Sequence, residues 1–110
     1  MSPRTTRIAE LNDQLRTAFT SGRILWTPGI AALPPETQAD ILAKVRAFDA
    51  FTGDNDPHGE HDFGALDQAD AGKVFWKIDY YDLAYEGHSP DASDPAVTNR
   101  VLTIMLASEY

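Results

Sequence analysis

Residues 74–82 read Val-Phe-Trp-Lys-Ile-Asp-Tyr-Tyr-Asp, and this run constrains the fold more than any other in the chain. A strand has a side-chain period of two. It therefore sets Val74, Trp76, Ile78 and Tyr80 on one face and Lys77 and Asp79 on the other. A strand with one large apolar face has to bury that face against a second layer. Phe63 to Leu66 predicts a second short strand, and Asp70-Ala71-Gly72 between them has turn chemistry, so the two runs are expected to pair as a hairpin.

The second layer is written as helices. Ile8, Leu11, Leu15, Ala18 and Phe19 recur at steps of three and four, an apolar helical stripe. Ser2-Pro3 or Thr5/Thr6 is expected to start that helix and Gly22 to end it. Arg23 to Thr27 predicts a short strand with Trp26 in the core, and Pro28-Gly29 a turn. Pro34-Pro35 introduces another helix, with the stripe Ile41, Leu42, Val45 and Phe48, and Gly53 beyond its end. Residues 52–62 and 84–93 are polar loops. At the end of the chain two readings stand. Asp94-Pro95 suits a helix start and would place Val97, Val101, Ile104, Met105 and Ser108 on one helical face. The β-branched residues within Val101 to Leu106 also suit a terminal strand. The whole predicts a single α+β domain over residues 1–110, with two or three helices packed on one face of a short, mainly antiparallel sheet.

Charge narrows the function. The net charge is −8, and residues 49–94 hold twelve acids against Lys73 and Lys77, a local net of −10. Residues 1–48 have a net charge of +2. Phosphate contacts need clustered Lys and Arg, so direct binding of nucleic acid or of an anionic membrane is not expected. The chain has no cysteine, which removes disulfides, thiolate catalysis and Cys-based zinc sites, and suits a reducing compartment. The segment MSPRTTRIAELNDQLRTAF has no apolar core of the signal-peptide kind, and Ile104 to Ala107 is too short to span a bilayer. A cytoplasmic location is expected.

Asp54-Asn55-Asp56-Pro57-His58-Gly59-Glu60-His61-Asp62 concentrates metal-ligand side chains. Asp56, His58, Glu60, His61 and Asp62 are the candidate ligands for zinc or another divalent ion. The spacing matches neither the metalloprotease helix nor an EF-hand, where Ala65 would occupy the position that needs a bidentate Glu. The same residues also suit an ordinary polar loop, with Asp and Asn bonded to backbone and His61 tied to a carboxylate. His61 with Asp62 or Asp79 would make a general-base pair. No nucleophile accompanies it, since Ser89, Ser93 and Thr98 lie in no elbow motif, and the glycines form no phosphate-binding fingerprint. Among the aromatics, Trp76 and Tyr80 are expected in the core and Phe75 and Tyr81 on an exposed face or partner surface.

The blocks Asn55 to Gly64, Phe75 to Asp82 and Arg100 to Tyr110, with Leu11-Asn12-Asp13 and Thr27 to Ile30, resemble the bacterial family catalogued as domain of unknown function 3768. The resemblance spans nearly the whole chain. It implies a small protein of a plasmid, phage or other mobile element, and it brings no activity and no catalytic residues with it. Together with the acidic middle segment it predicts a non-catalytic interaction protein. Asp67, Asp70, Asp79, Tyr81, Asp82 and Glu86 would form a phosphate-mimicking surface for a partner with a basic groove. That partner would be a nucleic-acid-handling complex of a host defence system, making the chain an inhibitor of anti-CRISPR or anti-restriction type. No cofactor is expected on this reading. The alternative is a divalent-metal-binding protein or metal-dependent hydrolase using Asp54 to Asp62.

Overall fold

The computed structural model describes residues 2–110. In chain order the elements are helix α1 (Pro3–Ala18), strand β1 (Arg23–Trp26), helices α2 (Pro28–Ala31) and α3 (Pro35–Ala47), strands β2 (Phe63–Gln68), β3 (Gly72–Tyr81) and β4 (Asn99–Leu106). Short 3-10 turns at Pro95–Val97 and Ala107–Glu109 flank β4. The sheet order is β1-β4-β3-β2, with β1 parallel to β4 and the other two pairings antiparallel. The predicted α+β domain with helices on one face of a mainly antiparallel sheet is the fold observed. Among the described residues no helix is long and apolar enough to cross a membrane.

The alternation in β3 sets the core. Val74, Trp76, Ile78 and Tyr80 are buried against Ile8 and Leu15 of α1, Ile30 of α2, and Ile41 and Val45 of α3, with Leu102 and Ile104 beside them. Trp76 is fully buried, its ring edge-on to Phe48 and Phe51 at 5.5 and 6.1 Å between centroids. Gly64 stands opposite Trp76 in β2, and a Cβ there would lie 2.6 Å from the indole Cε2, so only glycine fits beside this ring.

One open alternative is settled and three expectations are corrected. Of the two readings for the end of the chain, the strand is the one observed. β4 is central, paired on both edges, and it buries Arg100, Leu102 and Ile104 on one face and Val101 and Met105 on the other. A strand covered on both faces shows a near-continuous apolar run, which also satisfies helical spacing. Helix α1 ends at Ala18, with Phe19 rather than Gly22 in the left-handed conformation (φ 54°), its N–H bonded to the Leu15 carbonyl at 2.8 Å. Packing compensates that conformation, since Phe19 lies against the core and Arg46 stacks over its ring at 5.1 Å. Pro28-Gly29 opens α2 instead of making a turn, because Glu109 reaches back and accepts the Gly29 N–H at 3.0 Å. Trp26 is not a core residue: it is 39% exposed at the sheet edge.

Glu109 ties the end of β4 to α2. Its carboxylate accepts from the Thr27 hydroxyl (2.6 Å), the Leu106 N–H (2.9 Å) and the Gly29 N–H. The Thr27 bond leads these donors in holding the Glu109 carboxyl below its ordinary value of 4.5. A depressed carboxyl pKa stabilises the fold above the unfolded value, and that contribution is lost as pH falls through the folded one. The Gly29 and Leu106 amide resonances should therefore titrate together with a midpoint below 4.5. Glu109→Gln should remove that step, and a midpoint at or above 4.5 would show that the tether does not form.

Candidate functional site

The 54–62 loop is built from its own side chains. Thr52 and Asn55 bond each other across a turn, and Asp56, 8% exposed, accepts the N–H groups of Glu60 (3.1 Å) and His61 (3.2 Å). Gly59 (φ 69°) and His61 (φ 57°) take left-handed backbone, which wraps the loop around that carboxylate. Asp56 thus serves as a backbone acceptor. His61 Nδ1 lies 3.0 Å from Asp13 of α1, and its Nε2 lies 3.8 Å from Asp56. Its ring stacks on Phe51 at 3.9 Å and 2° between planes. Asp13 also accepts from Arg16, whose guanidinium is buried 5.2 Å from the Trp76 ring.

A second network lies beside the first. Asn12, fully buried, donates to the Tyr80 hydroxyl (2.8 Å) and the Glu60 carbonyl (2.9 Å), and accepts from Arg100 Nε at 2.6 Å. Tyr80 in turn donates to the Glu60 carboxylate at 3.0 Å. Burial drives the Tyr80 hydroxyl far above the ordinary phenol range, so it remains a neutral donor. Burial also lowers the Arg100 pKa; the guanidinium stacks 5.1 Å over the Tyr80 ring and donates to the Ala92 carbonyl. Asn12 and Arg16 stand four and eight residues after Ile8, on the buried stripe of α1. Polar residues at those positions are the sequence signal that would have pointed to both networks.

The five candidate metal ligands separate in this arrangement. Asp56 is engaged with backbone, Glu60 with Tyr80, and His61 with Asp13, while His58 is exposed. Asp62 is half-buried, and desolvation, with Glu60 next in weight, raises its carboxyl pKa. Among the described residues no group of three or more His, Asp or Glu side chains is placed to hold a metal ion. The carboxylates beside His61 are Asp13 and Asp56, where the sequence offered Asp62 or Asp79. An imidazole between two carboxylates, stacked on a phenyl ring, acts as a latch between loop and helix. The candidate hydroxyls are engaged elsewhere: Ser89 bonds Thr98 at 2.7 Å and Ser93 bonds Asp91 at 2.6 Å.

The acidic residues form two groups. Asp67 and Asp70 sit at the hairpin end, where Asp67 pairs with Lys73 at 3.4 Å and Asp70 accepts from Thr37 and Gln68. The Thr37 bond, more than any other contact, lowers the Asp70 pKa. Asp79, Tyr81, Asp82 and Glu86 lie at the other end of β3, and the six steps from Lys73 to Asp79 span about 20 Å of strand. Lys77 bonds Asp79 at 2.8 Å, and that bond raises the lysine pKa. Asp82 caps the Glu86 N–H at 2.9 Å in the turn that follows.

Between the two groups lies the sheet face turned away from the helices. Phe63 and Phe75 pack there at 5.3 Å between centroids, and Tyr110, 75% exposed, stands edge-on to both. Met105 is buried beside Phe75, and Val101 is buried between Asp79 and Arg23, both outside the main core. Leu25 is 47% exposed on the same face, and Tyr85 lies against Tyr81 and Arg23 at its lower end. Phe75 and Tyr81 thus lie on the outer face, as the alternation predicted. The centre of this face is Lys77, Thr103 and Leu25, with no helix over it among the described residues.

No curated protein and no solved structure matches this chain. A family model described as "Protein of unknown function (DUF3768)" matches residues 26–109, which include β1's last residue, α2, α3 and the remaining three strands. With most of its length covered by that match, this chain belongs to the DUF3768 family.

Proposed function

We propose that this chain is a non-catalytic interaction domain that docks a basic protein surface on its outer sheet face. One observation carries this reading: exposed Tyr110 and the half-buried rings of Phe63 and Phe75 form an aromatic layer between two acidic groups, on a sheet face with no helix over it among the described residues. Exposed aromatics flanked by charge are the composition of a docking surface, with the apolar centre supplying affinity and the carboxylates steering approach. The local net charge of −10 over residues 49–94 favours a basic partner. A groove that normally holds nucleic acid has that chemistry, and its occupation would inhibit the complex that owns it. The polar networks beneath this face hold the loop and strands in place.

The test is binding to basic nucleic-acid-handling complexes, CRISPR effectors and restriction enzymes among them, at low and high salt. In Asp79→Lys/Asp82→Asn/Glu86→Lys the asparagine keeps the capping oxygen. This variant should lower the association rate at low salt by about tenfold or more while leaving the melting temperature in place. Equal binding by variant and parent would remove the acidic group from the interface, and binding that is insensitive to salt would argue against charge-steered docking.

A further inference from the structure

β1 is an edge strand, and its outer side is bare. The Thr27 N–H bonds the Ile104 carbonyl at 3.1 Å, so Thr27 faces β4 and, by alternation, so do Arg23 and Leu25. The N–H and C=O groups of Ile24 and Trp26 then point away from the sheet, and among the described residues no strand lies on that side. Ile24 and Trp26 join Phe19, Leu25 and Leu42 around an open apolar cavity of about 210 Å³. Natural edges are blunted by charged side chains, Pro or bulges; within β1 the one charge is Arg23 at its start, and Ile24 to Trp26 are apolar.

Its charge is equally distinctive. From Gln14 through Pro35 there is no Asp or Glu, in a chain that contains 17 of them. Glu109, which reaches the end of β1, is held by donors from Thr27, Gly29 and Leu106. The acidic hairpin edge, β2, lies three strand spacings away, about 14 Å. For two molecules of net charge −8, β1 and its flanking segments bring no carboxylate of their own to this edge.

We propose that two copies of the chain join through β1, strand against strand and antiparallel, making one eight-stranded sheet with a two-fold axis at Leu25. The register follows from the outward groups. Ile24 exchanges both backbone bonds with Trp26 of the partner subunit, and Trp26 with Ile24 of the partner subunit. Leu25 then meets Leu25 of the partner subunit on the outer face, and Arg23 stands opposite Thr27 of the partner subunit. A two-fold centred on Ile24 would pair Trp26 with a glycine beyond the strand, Gly22. One centred on Trp26 would pair Ile24 with Pro28, which has no N–H. In the chosen register the two Arg23 side chains are four positions apart, about 13 Å. Trp26 of the partner subunit lies beside Ile24 and closes the apolar cavity. The proposal is independent of the docking reading of the outer face. Its salt response is also opposite in sign: screening strengthens an association of like-charged molecules and weakens one between opposite charges.

The chain has no cysteine, so Leu25→Cys carries the single thiol. Residues directly opposed in a non-hydrogen-bonded antiparallel pair have Cα atoms about 4.5 Å apart, within disulfide range. Under mild oxidation L25C should form a covalent dimer about tenfold faster, or more, than Q14C on the exposed face of α1, because association raises the local thiol concentration. Sedimentation should give twice the 12.1 kDa chain mass for the parent, with dimerisation strengthened by salt. Leu25→Lys should sediment as a folded monomer. A parent that stays monomeric at its highest soluble concentration, with L25C no faster than Q14C, overturns the proposal and leaves the edge to a strand from another protein. A parent dimer that persists in L25K, with slow L25C oxidation, overturns it too, since the dimer is then built elsewhere. Should L25K fail to fold, the comparison of the two thiol variants decides.

Discussion

Trp76→Ala is expected to destabilise the fold by about 3–5 kcal/mol, the cost of emptying a large aromatic site in a packed core. Several groups around the ring are held in place. Gly64 has no side chain to offer, Phe48 and Phe51 hold the ring edge-on, and the Arg16 guanidinium above it is fixed by Asp13 and by the Val45 and Arg46 carbonyls. Urea unfolding followed by circular dichroism measures the loss. Trp26→Ala is the internal contrast: the same residue type, 39% exposed, should lose far less. If Trp76→Ala unfolds at the parent's midpoint, Trp76 does not anchor the centre of the core.

Asn12→Ala should cost about 3 kcal/mol or more, because one side chain satisfies three buried groups. Its removal leaves Arg100 Nε, the Tyr80 hydroxyl and the Glu60 carbonyl each short of a partner, and each unsatisfied polar group costs about 1–3 kcal/mol. Tyr80→Phe should cost less, since it removes the hydroxyl together with its need for bonds. The two losses should be non-additive in a double-mutant cycle, because both act on one network. Asn12→Leu/Arg100→Met should be more stable than Asn12→Leu alone, since an unpaired buried cation costs more than an apolar side chain of similar volume. Additive losses, or a double variant weaker than the single one, would contradict the network.

The alternation of residues 74–82 and the turn at 70–72 were legible because a half-buried strand and its hairpin are local patterns. β4 was ambiguous because its burial on both faces is a tertiary fact: Met105 lies beside Phe75, and Val101 between Asp79 and Arg23, neighbours that the sequence does not place there. α2 was hidden for a similar reason, since Gly29 is held by a glutamate 80 residues later. In the candidate site, the richness of residues 54–62 in ligand atoms was plain, but their partners Asn12 and Asp13 come from α1. The charge excess was visible, whereas its division by the length of β3 depended on the register.

The position of β4 has a consequence for how the chain acquires its fold. Arg23 pairs with Val101, and β4 separates β1 from the β2–β3 hairpin. Until the last strand is inserted, α1, α3 and the hairpin have no shared sheet, and Trp76 has open edges on one side. Contacts so distant in sequence must close a long loop before they return any stability, which slows folding. On the ribosome, the chain has to wait until residue 106 has emerged, with its hairpin and the side of β1 that β4 covers unprotected in the meantime. A chaperone that holds short apolar strands should therefore engage nascent chains ended before residue 99 and release those that include residue 106, as crosslinking to arrested chains of graded length would show.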